Sequence, residues 1–343
     1  MRTRGKLQPI QGQIMSNINI KNCVVAPIVL LLMGSTAHAA TLYVNCGGKV
    51  GFTSIVAAVK ALQSSESHGP NTINVSGACN ENVVIKNLDR LTLNAVSGAS
   101  IMDVSNGNDD VINVNNSFGF TLKGFSITAV NANNDGVSCN YGSSCTLIGN
   151  TLQGGFDGIG VYPTATALIV GGSLSGNTNG LNARGDVIAA GVMVQGNSVG
   201  AIVQDGGKLV FRISDPEYDG VDFTLPAASQ GNAQQGILVL RGGAVRCQGC
   251  IVKGNSAAGI SLDLSSSLFL GPYFFNSGAV AANIIASNTG PGVLVGDLSS
   301  ATFQGASSNI SGNGQPDISC LGPTSVTRRA VATVSAAHTN CTN

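Results

Sequence analysis

The chain of 343 residues has no tryptophan, 5% aromatic residues and only 10% charged residues. So few rings argue against a core built on large side chains. So little lysine and arginine argues against a nucleic-acid surface, which needs basic residues in clusters. Disorder is disfavoured from the other side, because disordered chains combine low hydrophobicity with high charge and here 43% of residues are hydrophobic. What the chain has in abundance is glycine, 46 residues, which with its other small residues points to frequent tight turns. The length admits one large domain or two ordinary ones.

Residues 24–36, VVAPIVLLLMGST, form a short apolar run with Lys21 before it and Ala37-His38-Ala39 after it. A basic start, an apolar middle and an A-x-A site predict a secretory signal peptide cleaved after Ala39, with Met15 as an alternative start. The run is too short to read as a membrane span, so the mature chain is expected to be secreted, periplasmic or at the cell surface without crossing a membrane. Cleavage removes Arg2, Arg4, Lys6 and Lys21, leaving thirteen basic and seventeen acidic residues and a formal charge of −4. It also removes Cys23, and the eight cysteines that remain suggest disulfides in an exported chain. Spacing favours Cys46 with Cys79, Cys139 with Cys145, Cys247 with Cys250, and Cys320 with Cys341. A redox or zinc role for Cys247-Gln-Gly-Cys250 is the alternative for the third pair, although no second ligand pair stands at the required spacing.

Internal repetition organises the rest. NDDVINV (108–114), NDGVSCN (134–140), FDGIGVY (156–162), TNGLNAR (178–184), SVGAIVQ (198–204), QQGILVL (235–241), AAGISLD (258–264) and GPGVLVG (290–296) each read as a turn followed by a short alternating strand. Their glycines recur at 136, 158, 180, 200, 236, 259 and 292, mostly 20 to 23 residues apart. The two longer gaps hold insertions. In phase with them runs a second signal: Asn177, Asn197, Asn232, Asn255 and Asn313 each follow a glycine, and Asn288 is a variant. Asparagine tolerates left-handed corners, and its amide can bond the next asparagine up a stack. Two or three short strands per period with no crossover helix predict a parallel solenoid whose coils bury their inner faces only by stacking about 4.8 Å apart. Nine or ten coils would make a rod of roughly 45 Å. Solenoid ends need caps. Ile55, Ala58, Val59 and Leu62 fit a capping helix in FTSIVAAVKALQ (52–63), with Thr53 or Ser54 as its N-cap.

These segments resemble the right-handed parallel β-helix proteins of the pectin-lyase-like superfamily. The resemblance rests on TLYVNCGGKVGFTSIVAAVKAL, NTINVSGACNENVVIKNLDRLTLNA, the GN-x-x-x-G-[IV] coils and SGNGQPDISC, and covers about residues 41–343. It implies an all-β, right-handed parallel β-helix and a tie to carbohydrates. Lyases, hydrolases, esterases, epimerases and non-catalytic proteins all use the fold, so it implies no single activity. The expected layout is an extension and signal peptide over 1–39 and one β-helix domain over 40–343. Within it the cap occupies about 41–80, the coils about 81–318 and a C-terminal cap about 319–343.

Candidate site residues follow from the repeat. Asp109, Asp135 and Asp157 are expected in the same phase of successive coils, followed by Asn179, with Asp110 and Asp103 close by. Stacked carboxylates repel, so their pKa values separate unless a cation neutralises them. Acid/base pairs for glycoside cleavage arise in this way, and so could a calcium site at Asp109, Asp110 and Asp135. The alternative for Asp135 is a corner residue bonding its own turn. Motifs of the active families are incomplete. NDD (108–110) precedes NND (133–135), the reverse of the polygalacturonase order, and Asp215-Pro216-Glu217-Tyr218-Asp219 comes nearest to the D-P-H-D of the uronan epimerases. That last segment lies in an insertion over 205–232, where Arg212, Asp215, Glu217 and Tyr218 are candidate binding residues beside the aromatic insertion 267–280.

The leading expectation is an exported, carbohydrate-associated β-helix that binds polysaccharide without a complete catalytic set. A polysaccharide lyase or glycoside hydrolase using the acid row is the second, and a structural or adhesive rod the third. The polymer and the oligomeric state stay open.

Overall fold

A computed structural model describes residues 39–64, 69–107, 109–304, 308–322, 325–330 and 339–341. Apart from Ala39, the expected signal peptide lies outside these residues. No helix among the described residues is long and apolar enough to cross a membrane. The chain is a right-handed parallel β-helix. It winds through three parallel sheets in rotation, the first with twelve strands and the second and third with ten each. Every turn supplies one strand to each sheet, so the expected nine or ten coils resolve as ten.

The winding is dictated by short alternating strands that bury one face. In the third sheet Val83, Ile112, Val137, Ile159, Leu181, Ala201, Ile237, Ile260, Val293 and Ile318 lie in register on successive coils. All ten are buried. One aliphatic side chain per coil thus stacks on the next, and large rings are not needed. The N-terminal end is closed by the helix Ile55–Ser64, whose buried face is Ile55, Ala58, Val59 and Leu62, the four residues of the helical pattern. Ser54 is the N-cap, its Oγ accepting from Ala57 N at 3.0 Å. A second partner comes from the coils: Glu81 accepts from Ile55 N at 2.7 Å and Val56 N at 3.0 Å, placing a carboxylate on the positive helix end.

Two columns explain the repeated Gly and Asn. The amides of Asn177, Asn197, Asn232, Asn255, Asn288 and Asn313 form a buried ladder, each Oδ1 accepting from the backbone N–H and Nδ2 of the previous rung, until Asp317 accepts from Asn313. Left-handed backbone is not the asparagine's part. It falls on the residue before: Gly196 has φ 62°, Gly231 60°, and Ser287 56° at the variant rung. The glycines at 158, 180, 200, 236 and 259 serve a different need, room. A Cβ on Gly180 would lie 2.6 Å from the Gly200 carbonyl oxygen and 2.4 Å from Val194.

Three disulfides are present, Cys46–Cys79, Cys139–Cys145 and Cys320–Cys341. The expected fourth is not: Cys247 and Cys250 are free, buried thiols. Cys247 lies in the first-sheet strand Ala244–Gln248, Gly249 turns the corner with φ 65°, and Cys250 is held beyond it by the bond from its N–H to Asn283 Oδ1 at 3.0 Å. Both insertions are shorter than the sequence suggested, because Lys208–Arg212 and Ser267–Gly271 are regular first-sheet strands and Ala228–Gln230 a second-sheet strand. What leaves the stack is 213–227, with the short helix Pro216–Asp219, and an antiparallel hairpin of Tyr273–Phe274 and Val280–Ala281.

Candidate functional site

The acid row sits at the start of the third-sheet strands, with one change of member. Register places Asp110, not Asp109, beneath Asp135, because Ile112 pairs with Val137. Asp157 pairs onward with Asn179. Asp109 is exposed and touches the coil only through its backbone, its N–H donating to Ser105 Oγ at 3.2 Å and its carbonyl accepting from Asn82 Nδ2 at 3.1 Å. The 108–114 frame slips by one residue because Val111 occupies the glycine position there. Two adjacent aspartates then leave the frame unmarked.

None of these carboxylates bonds its own turn. Asp110 accepts from Asp135 N at 3.0 Å, and Asp135 from Asp157 N at 3.2 Å. Asp157 accepts Asn179 Nδ2 and Asn182 Nδ2, both at 2.8 Å. The second oxygen of Asp135 accepts the Tyr162 phenol at 2.8 Å. That of Asp110 accepts Asn113 Nδ2 at 3.0 Å and the Ser138 hydroxyl. The row is therefore a ladder whose oxygens point to the next coil. Among the described residues, the carboxylates of Asp109, Asp110 and Asp135 do not lie together as one group.

Burial sets the electrostatics. Asp135 is 3% exposed and Asp157 0%. Desolvation, added to by the charges of Asp157 and Asp110, pushes Asp135 up to about 8. Asp157 rises to about 6, again mainly by burial, restrained by the Asn179 and Asn182 amides and by Arg184. The same burial and acids push the Tyr162 phenol well up, so it stays a proton donor. Gly160 makes the contact possible: a Cβ there would lie 2.5 Å from Asp135 Oδ2 and 2.9 Å from the Tyr162 ring. Gly160→Ala should therefore lift the phenol off Asp135 and lower the melting temperature, since a buried carboxyl oxygen loses its partner. Ultraviolet titration should then place the Tyr162 pKa closer to 10; an unchanged titration would contradict the contact.

Outward from this ladder runs a column of hydrogen-bonding side chains on five successive coils, Asn115, Asn140, Tyr162, Arg184 and Gln204, with Lys86 in register before Asn115. Each of the last four stands four residues after a repeat glycine (136, 158, 180, 200), so the repeat itself carries the signal for this column. Gln204 Nε2 donates to Asn182 Oδ1 at 3.2 Å, and Asn182 reaches Asp157. Arg241 donates to Gln204 and, at 2.6 Å, to Asp205, whose carboxyl it holds below its usual range. The Arg184 guanidinium lies 5.8 Å from the Tyr162 ring centroid, its Nε 3.6 Å from Asp205 and without a hydrogen bond among the described residues. Beyond Gln204 the column turns apolar at Leu240.

The four candidate binding residues of the insertion are engaged away from the acid row, with Asp219, Tyr273 and Asn276. Arg212 forms an ion pair with buried Asp219 at 2.5 Å, and Asp215 accepts the Tyr273 phenol at 2.9 Å. Asn276 joins Tyr218 at 3.1 Å and Glu217 at 2.7 Å. These contacts tie the 213–227 excursion to the hairpin, so their first role is to hold two insertions together.

No protein-family model and no curated protein matches the chain. Among solved structures it is similar to the A-module of mannuronan C-5 epimerase AlgE4 from Azotobacter vinelandii, with 14% identity and a TM-score of 0.54 over 88% of this chain and 100% of that one. The AlgE6 A-module of the same organism matches with 12% identity and a TM-score of 0.45, over 83% of this chain and 92% of its own. Pectin methylesterase of Aspergillus niger gives 14% and 0.36 over 88% and 87%. The property shared with the AlgE4 A-module is the fold, a parallel β-helix.

Proposed function

We propose that the protein is an exported polysaccharide-binding β-helix, and that the polymer lies along the third sheet over the column Asn115, Asn140, Tyr162, Arg184 and Gln204. The observation that carries this is the column itself. One hydrogen-bonding side chain per coil, on coils about 4.8 Å apart, is a repeating set of donors and acceptors suited to a repeating polyhydroxylated chain. Three disulfides support export, since such bonds persist in oxidising compartments. The structurally similar A-module is by name an enzyme of mannuronan, a polysaccharide.

Polysaccharide binding predicts ligand-dependent stabilisation, because a ligand that binds only the folded chain raises its melting temperature. Asn140→Ala should weaken retention in polysaccharide-containing affinity gels while the free protein melts within a few degrees of wild type. A rod whose only role is structural would show neither retention nor a ligand-induced shift.

A second reading, polysaccharide lyase or glycoside hydrolase, has its own observation: the Tyr162 phenol on the buried Asp135 carboxyl with Arg184 alongside. Here Asp157 is enclosed and both its oxygens are occupied, which leaves Tyr162 as the group facing a substrate. Release of unsaturated or reducing ends from acidic polysaccharides, abolished by Tyr162→Phe, would establish this reading over simple binding.

A further inference from the structure

Phe118 and Tyr141 are 66% and 71% exposed, large rings left in water by a chain that has few rings at all. Both stand where the third sheet turns into the first, on neighbouring coils. Phe118 lines a cavity of about 280 Å³ with Asn87, Asp89, Asn116 and Gly142. Tyr141 is the chain neighbour of Gly142, and its carbonyl accepts from Asn116 N at 3.2 Å. Asn115 and Asn140, the first two members of the column, immediately precede Asn116 and Tyr141.

The polar groups of this cavity are held and only partly used. Asn116 Nδ2 donates to Asn87 Oδ1 at 2.7 Å, and Asp89 Oδ1 accepts from Phe118 N at 2.7 Å. Asn87 Nδ2, Asn116 Oδ1 and Asp89 Oδ2 have no hydrogen-bond partner among the described residues, and neither has the Tyr141 phenol. The corner is also locked. Cys46–Cys79 and Cys320–Cys341 lie at the two ends of the stack, but Cys139–Cys145 spans a single corner in the middle of a sheet, and that corner is the one bearing Tyr141 and Gly142. A stack already held by its neighbours on both sides gains little from so local a link, whereas a binding corner gains preorganisation.

We infer that this corner is a sugar-ring subsite: the C–H face of a neutral pyranose packs on Phe118 and Tyr141, and its hydroxyls bond Asp89, Asn87 and Asn116. The ring faces supply apolar area with a polar edge, and the amides and carboxylate fix orientation. Asp89 selects against a uronate at this position, since a second carboxyl group beside its own is disfavoured by like-charge repulsion. The subsite rests on the polymer lying along the polar column, beside whose first two members it stands.

The test is calorimetric titration of the protein with cellohexaose, mannohexaose, xylohexaose and hexagalacturonate. Phe118→Ala and Tyr141→Ala should each weaken the neutral hexasaccharide that binds by roughly ten-fold or more, with unchanged melting temperature because both rings are exposed. Wild-type affinity in both variants would overturn the subsite, and loss of binding in Asn140→Ala would then leave the column reading standing alone. Binding of hexagalacturonate only would overturn the neutral-sugar assignment while keeping the column. Failure of the wild type to bind any of the four would overturn both.

Discussion

Asp135→Asn should raise the melting temperature at pH 8 and leave it near wild type at pH 4. The folded chain holds the Asp135 carboxyl at about 8, mainly because burial penalises its charge, whereas the unfolded chain releases the proton near the ordinary value of 3.8. Below that value both states carry the proton and no difference arises. Between it and about 8 the unfolded chain binds fewer protons, so stability falls as pH rises and levels off above the folded pKa. Asp157 adds a parallel loss that ends near 6. The total for Asp135 is on the order of a few kcal/mol, since each unit of separation is worth about 1.4 kcal/mol.

Asparagine has the shape of the protonated carboxyl and no charge to desolvate. Its oxygen can accept from Asp157 N, its amide can donate to the Tyr162 oxygen, and the fold already places Asn179 in this column. Melting curves from pH 4 to 9 should show a wild-type decline between pH 6 and 8 that the variant lacks. Identical slopes in both proteins would mean that Asp135 is ionised in the folded chain.

Asn232→Ala should be far more damaging than its size suggests. Asn232 is 0% exposed in mid-ladder. Its Oδ1 accepts Asn197 N at 3.0 Å and Asn197 Nδ2 at 3.3 Å, while its Nδ2 donates to Asn255 Oδ1 at 2.8 Å and Ser229 Oγ at 3.1 Å. Truncation strands the buried Asn197 N–H and takes one bond each from Asn197 Nδ2, Asn255 Oδ1 and Ser229 Oγ, which keep other partners. A stranded donor costs about 1–3 kcal/mol and each further lost bond about 0.5–1.5 kcal/mol, so a total of about 3–5 kcal/mol is expected. Because coils touch only their neighbours, hydrogen exchange should accelerate first in the coils around 192–262, before the ends. Asn232→Asp should be no milder, for a carboxylate would face the Asn255 oxygen. An acid suits the ladder only at its last rung, where Asp317 accepts from Asn313 and need not donate. Uniform protection in Asn232→Ala would show that the ladder does not hold the coils together.

The sequence by itself determined the period, the sheet-forming alternation, the ladder positions, the capping helix with its four buried residues, and three of the four disulfides. All of these are local or periodic. A residue recurring every 20 to 23 positions must stack on itself, and a cysteine flanking a cap has few partners. Tertiary structure decided what depends on pairing between coils. It chose Asp110 over Asp109, because only register distinguishes adjacent residues when no glycine marks the frame. It turned Arg212, Asp215, Glu217 and Tyr218 toward a hairpin some sixty residues later in the chain, beyond the reach of any local pattern. It left Cys247 and Cys250 reduced, since their strands and corner, not their spacing, fix where the sulfurs lie. Asp135 answers to the same rule: its identity as an acid beside a glycine was plain in the sequence, but its proton is kept by burial and by the charges of Asp157 and Asp110, which only the stacked coils bring around it.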